Sequence, residues 1–188
     1  KLMVISYLKR RVLARFLRDQ DGSASIEAVI MMPMVFWVYL AMFTFFQTYQ
    51  EYYTNQKAAY TIGDMISRET LPMDTAYMDG IQDLLDYMTR SSGETTVRIT
   101  SAKYDQKNKR FLLHWSRARG SLSDATQADV TGWTDKIPEL EDGEYITVTE
   151  TWTSFAPPFN IGLPVQEVKN FVFTRPRYAP WVLYSDGA

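Results

Sequence analysis

Few residues in this chain have the type and spacing that chemistry needs. In Asp21-Gly22-Ser23-Ala24-Ser25-Ile26-Glu27, the carboxylate of Glu27 stands five residues past Gly22, at the front of a long apolar run. An acid carried into a bilayer costs roughly 2.5–3.5 kcal/mol at the centre and less near the interface, so one kept there points to function. The other candidates are weaker. His114, the single histidine, sits in Leu112-Leu113-His114-Trp115 without a nucleophile motif and reads as a plain strand residue. Asp79, Asp83 and Asp86 recur at i, i+4 and i+7, a spacing that can gather Ca²⁺ on a helix. The pattern is not an EF-hand loop, and it reads as a solvated acidic face. Arg117 and Arg119 beside Gly120 could meet an anion and read as surface charge in a polar loop. Met31, Met32, Met34 and Met42 read as flexible packing in a membrane helix, not a metal site. With no cysteine, disulfides, a lipoprotein anchor, thiol catalysis and Cys-based zinc sites are excluded. No Gly-rich phosphate loop is present. The chain is therefore expected to be no enzyme, with no catalytic residue, metal or cofactor.

The elements that position Glu27 are legible. Ala28 to Phe46 contains no charge over nineteen residues, close to the roughly 20 that cross a bilayer as a helix. Residues 1–22 carry six basic residues against two acids, a charge of +4, which leaves −6 on the rest of a chain of net charge −2. The positive-inside rule keeps that leader in the cytoplasm and sends the body across the membrane. A basic leader on an acidic body also argues against nucleic-acid binding. Leu8, Val12 and Phe16 at i, i+4 and i+8 would let the leader lie on the membrane as a short amphipathic helix. Trp37, Tyr39, Tyr49, Tyr52 and Tyr53 fit the far interface. The run exceeds the 7–15 residues of a signal-peptide core and ends without a small-x-small site. Pro33, inside it, is expected to kink or open the helix. The sequence begins with Lys1, which leaves either a few residues upstream or an internal start at Met3.

Beyond the membrane the helix should continue to about Arg68, with Tyr49, Tyr52, Tyr60 and Ile66 as its packed stripe, and stop at Leu71-Pro72. A second helix is predicted over roughly Met73–Arg90, its apolar face built from Ala76, Tyr77, Ile81, Leu84, Leu85 and Met88 and its end at Ser91-Ser92-Gly93. Four strands follow, Thr95–Tyr104, Arg110–Ser116, Glu144–Phe155 and Val168–Thr174, with Asp105–Lys109 as a hairpin loop. In the third, Ile146, Val148 and Trp152 share one face and Tyr145, Thr147, Thr149 and Thr151 the other. Residues 117–137 read as a polar irregular loop. The fold class is α+β: a long N-terminal transmembrane helix, a short second helix and a four-stranded antiparallel sheet sharing one core with the helices. The divisions are a leader over 1–22, the long helix over 23–70 with its membrane segment at about 28–46, and a domain over 71–188.

Two stretches carry a family resemblance. Phe16-Leu17-Arg18-Asp19-Gln20-Asp21-Gly22-Ser23-Ala24-Ser25-Ile26-Glu27 opens the first. Trp152 in a Thr-rich strand, Pro157-Pro158, and Phe171-Val172-Phe173-Thr174-Arg175-Pro176-Arg177 form the second. Together they resemble the TadE-like minor pilins (pseudopilins) of the tight-adherence, Flp-type type IV pilus system. The resemblance implies an inner-membrane, single-pass precursor, N-terminus cytoplasmic and C-terminal domain periplasmic, cut between Gly22 and Ser23 by a prepilin peptidase. The mature subunit would then act in assembly or initiation of the pilus. Its implied partners are that peptidase, other pilins and minor pilins, the inner-membrane assembly platform and membrane lipid. Ala28 follows Glu27 where the major Flp pilin carries Tyr, which argues against the major subunit.

The residues then acquire expected roles. Glycine at the cut admits an extended backbone to a protease cleft without a side-chain clash. Glu27 would pair with the new amine at Ser23, its own or a neighbour's, and so favour one axial register between subunits. In a filament a kink at Pro33 would let neighbouring helices pack, while in a lone anchor it would merely be tolerated, and the sequence does not separate the two. Two rivals remain: a signal-anchored periplasmic binding or scaffold domain, and a pilus-tip adhesin using the 117–137 loop or Trp133.

Overall fold

A computed structural model describes residues 21–91, 95–159 and 162–186, with side chains in the first helix from Ser25 onward. The leader residues before Asp21, with the amphipathic spacing of Leu8, Val12 and Phe16, lie outside the described residues. The chain divides into two units, one ending at Phe45 and one beginning at Phe46. Helix α1 covers Asp21–Ser67 and α2 covers Thr75–Thr89. Strands β1 (Thr96–Asp105), β2 (Arg110–Arg119), β3 (Tyr145–Phe155) and β4 (Gln166–Thr174) form one sheet in the order β2-β1-β3-β4, every neighbouring pair antiparallel. The α+β class with a long helix, a short helix and four antiparallel strands is thus what the chain folds into.

Local chemistry explains the boundaries. The Asp74 carboxylate caps α2 by accepting from the Tyr77 N–H at 2.7 Å, and Arg90 closes it with φ of 54°. Asp105 accepts from Asn108, and Lys109 turns the β1–β2 hairpin with φ of 46°. The expected packed stripe of α1 is corrected. Tyr49, Tyr52 and Tyr60 are exposed, and the buried face is Asn55, Ala58, Ala59, Ile62 and Ile66. Small residues suit the surface beneath them, because β3 presents Thr149, Thr151 and Thr153 there. A Cβ added to Gly63 would meet Val172 Cγ1 at 3.3 Å. Thr153 Oγ1 donates to Asn55 Oδ1 at 2.5 Å. In α2 it is Met78, with Ile81 and Leu85, that is fully buried, while Ala76 faces outward.

Two further expectations are corrected. The core is double. One cluster joins α1 and α2 to Val97 and Ile99; the other joins Ala102, Phe111, Ile146 and Val148 to Val130 and Trp133. Both faces of β3 are therefore buried, the Thr face included. The second cover comes from the supposed loop 117–137. Its first three residues extend β2, and it then forms helix α3 (Gln127–Thr131) and a 3₁₀ turn (Gly132–Asp135). Thr126 and Asp129 make a reciprocal capping box, and Val130, Trp133 and Ile137 fall on one inward face.

The C-terminal segment, read in the sequence only as the end of the last strand, is a strap. Met73 pairs in parallel with Tyr184, the Met73 N–H donating to the Leu183 carbonyl and the Ser185 N–H to the Met73 carbonyl, each at 2.9 Å. Trp115 Nε1 donates to the Val182 carbonyl at 2.9 Å, and Arg177 N–H to the Ser67 carbonyl at 2.7 Å.

Candidate functional site

The site that sequence singles out lies in the first unit. Backbone from Asp21 through Glu27 is helical, so Gly22 and Ser23 sit inside α1. Ser23 and Glu27 are four residues apart along the chain. Glu27 is exposed. A helix beginning at Ser23 would hold this carboxylate close behind its first turn, where the positive end of the helix dipole favours negative charge. A protease that takes extended chain must first unwind this turn, and glycine lowers that barrier because it stabilises helix least among residues other than proline.

The surface that follows is apolar all round. Val29 is 72%, Phe36 62%, Trp37 58% and Phe46 67% exposed. A helix face packed in a soluble core would alternate with a polar face; this one does not, and among the described residues it is the one helix long and apolar enough to cross a membrane. As helix, Ala28–Phe46 is about 28 Å long, matching a hydrocarbon core of about 30 Å. The helix runs unbroken through Pro33, which has no N–H to offer the Val29 carbonyl. Ala28, Val29, Met32, Pro33 and Phe36 line a shallow apolar groove of about 700 Å³.

The second unit disposes of the other candidates. Arg117 and Arg119 belong to β2, not a loop. Arg117 pairs with Asp186 at 3.1 Å and Asp124 at 3.4 Å and lies over the Tyr184 ring, while Arg119 pairs with Asp79. Asp86 accepts from Thr95 Oγ1. The acidic face is thus partly tied into the fold, and the described residues hold no group of three or more acids, histidines or cysteines able to take a metal ion. His114 is in β2, as expected of a strand histidine, at the extra position of a bulge where Ser101 faces Trp115 and Ala102 faces Leu113. Trp133, 3% exposed and edge-on to Phe171 at 5.5 Å, is a core residue and cannot serve as an adhesive contact.

Sequence patterns missed two features of this unit. Arg98 and Glu150 form a nearly buried ion pair at 2.7 Å, with the guanidinium over Trp152. Burial pushes the Glu150 carboxyl above the usual range, and the Arg98 charge pulls it back only in part. Their positions, fifty-two residues apart, become neighbours only through the β1–β3 pairing, so no local spacing reveals them. The second is a ring cluster at the start of β3: Tyr145 meets His114 edge-on at 5.3 Å and Trp181 at 5.3 Å, with the Lys103 ammonium 5.7 Å from its ring centre. No family model, no curated protein and no solved structure matches this chain.

Proposed function

We propose that this chain is a pilin-like subunit, a TadE-like minor pilin that enters or primes a Tad/Flp-type pilus after cleavage between Gly22 and Ser23. One observation carries the reading. A single helix is apolar on every side over its first half and packs against the body over its second through Asn55, Ala58, Ala59, Ile62 and Ile66. That is the division of labour a filament subunit needs, with one half for lipid and then for neighbouring helices, and the other for its own body. The Gly22–Glu27 spacing supports it, as does the groove beside Pro33, where a second helix could lie. The leader charge of +4 holds the precursor with its N-terminus in the cytoplasm and the body in the periplasm. Removing that charge frees the subunit for extraction into a filament. Glu27 sets register by pairing with an amine at Ser23, its own or a neighbour's. The implied partners are the prepilin peptidase, other pilins, the assembly platform and lipid.

Mass spectrometry of the N-terminal peptide from cell membranes, with and without the peptidase, tests this. A terminus at Ser23 that requires the peptidase is the expected result. An intact leader in both strains would leave a signal-anchored periplasmic domain as the better account.

A further inference from the structure

Glu51 is the first charged residue after Glu27. Five residues of helix separate it from Phe46, the last residue of the apolar run, a rise of about 7.5 Å. Lipid headgroups extend about 5–7.5 Å beyond each side of the hydrocarbon core, so a span that ends at Phe46 brings Glu51 to their level. Tyr49, Tyr52 and Tyr53, all exposed, are the aromatic side chains expected there. Glu51 is held in place. The Asn55 amide donates to the Glu51 carbonyl at 2.9 Å and to Oε1 at 3.3 Å, and Asn55 in turn accepts from Thr153. Among the described residues nothing else bonds this carboxylate. Glu51 lines a cavity of about 280 Å³ whose walls include Thr89, Arg90, Ser91, Ser154 and Phe155. Arg90 closes α2 in the left-handed region, which glycine occupies without strain. Its guanidinium makes no ion pair among the described residues. Asp86, four residues back on α2, accepts from Thr95 Oγ1 instead. The Arg90 and Ser91 N–H groups both go to the Asp86 carbonyl, so the positive charge at the cavity is the guanidinium alone.

We infer that this cavity takes the zwitterionic headgroup of a phosphatidylethanolamine-type lipid, whose acyl chains stay in the bilayer. The lipid phosphate meets Arg90, with the Ser91 and Ser154 hydroxyls as further donors, and the primary ammonium meets Glu51. One carboxylate and one guanidinium share the cavity without pairing to each other, which matches a ligand that carries one charge of each sign. A purely anionic headgroup would leave Glu51 facing a like charge, and a quaternary ammonium has no N–H to give it. A left-handed arginine is less favourable than glycine at the same position, and a ligand contact accounts for its presence. The contact ties the second unit to the membrane surface. It rests on the membrane span and is independent of any cleavage at Gly22.

The test offers the full-length protein, in detergent micelles, phosphatidylethanolamine, phosphatidylglycerol or phosphatidylcholine of the same acyl chains, and counts bound lipid by native mass spectrometry. Phosphatidylethanolamine should be retained about tenfold over phosphatidylcholine, the worth of one charge-assisted hydrogen bond. Glu51→Gln should remove that preference and leave phosphatidylglycerol binding no weaker. Arg90→Gly keeps the left-handed backbone, so it should weaken both phosphatidylethanolamine and phosphatidylglycerol about tenfold with the melting temperature unchanged. Should Arg90→Gly melt early, the near-isosteric Glu51→Gln still decides. Equal retention of phosphatidylethanolamine and phosphatidylcholine by the wild-type chain overturns the inference, as does a preference that survives both substitutions. Free phosphoethanolamine bound as tightly as the lipid would overturn the lipid assignment and put a soluble ligand in its place.

Discussion

Arg98 and Glu150 show how a side chain's worth depends on its surroundings. Burial favours the neutral form of Glu150, so the folded state holds this proton more tightly than the unfolded chain does. The stability it contributes is full below the ordinary carboxylate range and is lost as pH rises through the raised value. Asp105 and Asp129 run the other way. Hydrogen bonds from Asn108 to Asp105, and from the Thr126 backbone and hydroxyl to Asp129, hold both carboxyls low, so their contribution is present above the ordinary value and lost as pH falls through the lowered one. Arg98→Met should cost about 3 kcal/mol at neutral pH by stranding a buried carboxylate. The deficit should shrink on acidification, as Glu150 takes up its proton. Denaturation midpoints of wild type and variant at pH 5 and pH 8 decide this, and an equal deficit at both would show that the lost packing of the Arg98 stem is the whole effect. Thr147 offers the opposite sign. Its buried hydroxyl has no hydrogen-bond partner among the described residues. Thr147→Val, of nearly the same shape, should raise stability by about 1 kcal/mol and the melting temperature by about 2–4 °C. A fall in melting temperature would mean that the hydroxyl is satisfied.

At the scale of elements, Gly120 ends β2 with φ of 103°, and a Cβ there would stand 2.7 Å from the Thr95 carbonyl oxygen. Backbone cannot give way as a flexible side-chain tip can, so Gly120→Ala should cost roughly 2–3 kcal/mol, visible as a drop in melting temperature of about 4–12 °C. A variant that melts like wild type would show that the turn re-forms around the methyl. Helices and strands were largely legible in the sequence because their apolar periods are regular, as Ile81 and Leu85 in α2 and the alternation in β3 show. The cover supplied by α3 was not. Its inward set, Val130, Trp133 and Ile137, is diluted by polar neighbours, although Thr126 and Asp129 already spelled a capping box. The packed face of α1 escapes the apolar pattern for a different reason. Hydrophobic periodicity searches for large residues, whereas this helix approaches a threonine surface through Ala58, Ala59 and Gly63, and leaves its tyrosines outside. Within the candidate site, Gly22, Ser23 and Glu27 were legible as spacing. The ring cluster was not, because His114, Tyr145 and Trp181 are brought together only by strand register and the returning strap.

For the whole molecule, the proposed assembly role makes Glu27 separable from processing. Glu27→Gln should leave the peptidase-dependent terminus at Ser23 intact while reducing incorporation into filaments by about tenfold, the effect expected when a buried amine loses its partner. Sheared filament and membrane fractions, probed for the subunit, measure this, and equal incorporation would remove Glu27 from any registry role. The strap has a mechanical consequence. Ser67, at the end of α1, is bonded to Arg177, and Met73, just beyond it, is bonded on both sides to Leu183 and Ser185. A pull on α1 is therefore met by two attachment points to the C-terminal segment, in addition to the helix's own seat on the sheet. Three links share the load, so no single one has to break before the others feel the strain. Under such a pull the second unit would yield by parting α1 from the sheet and the strap together, not by unravelling from its C-terminus.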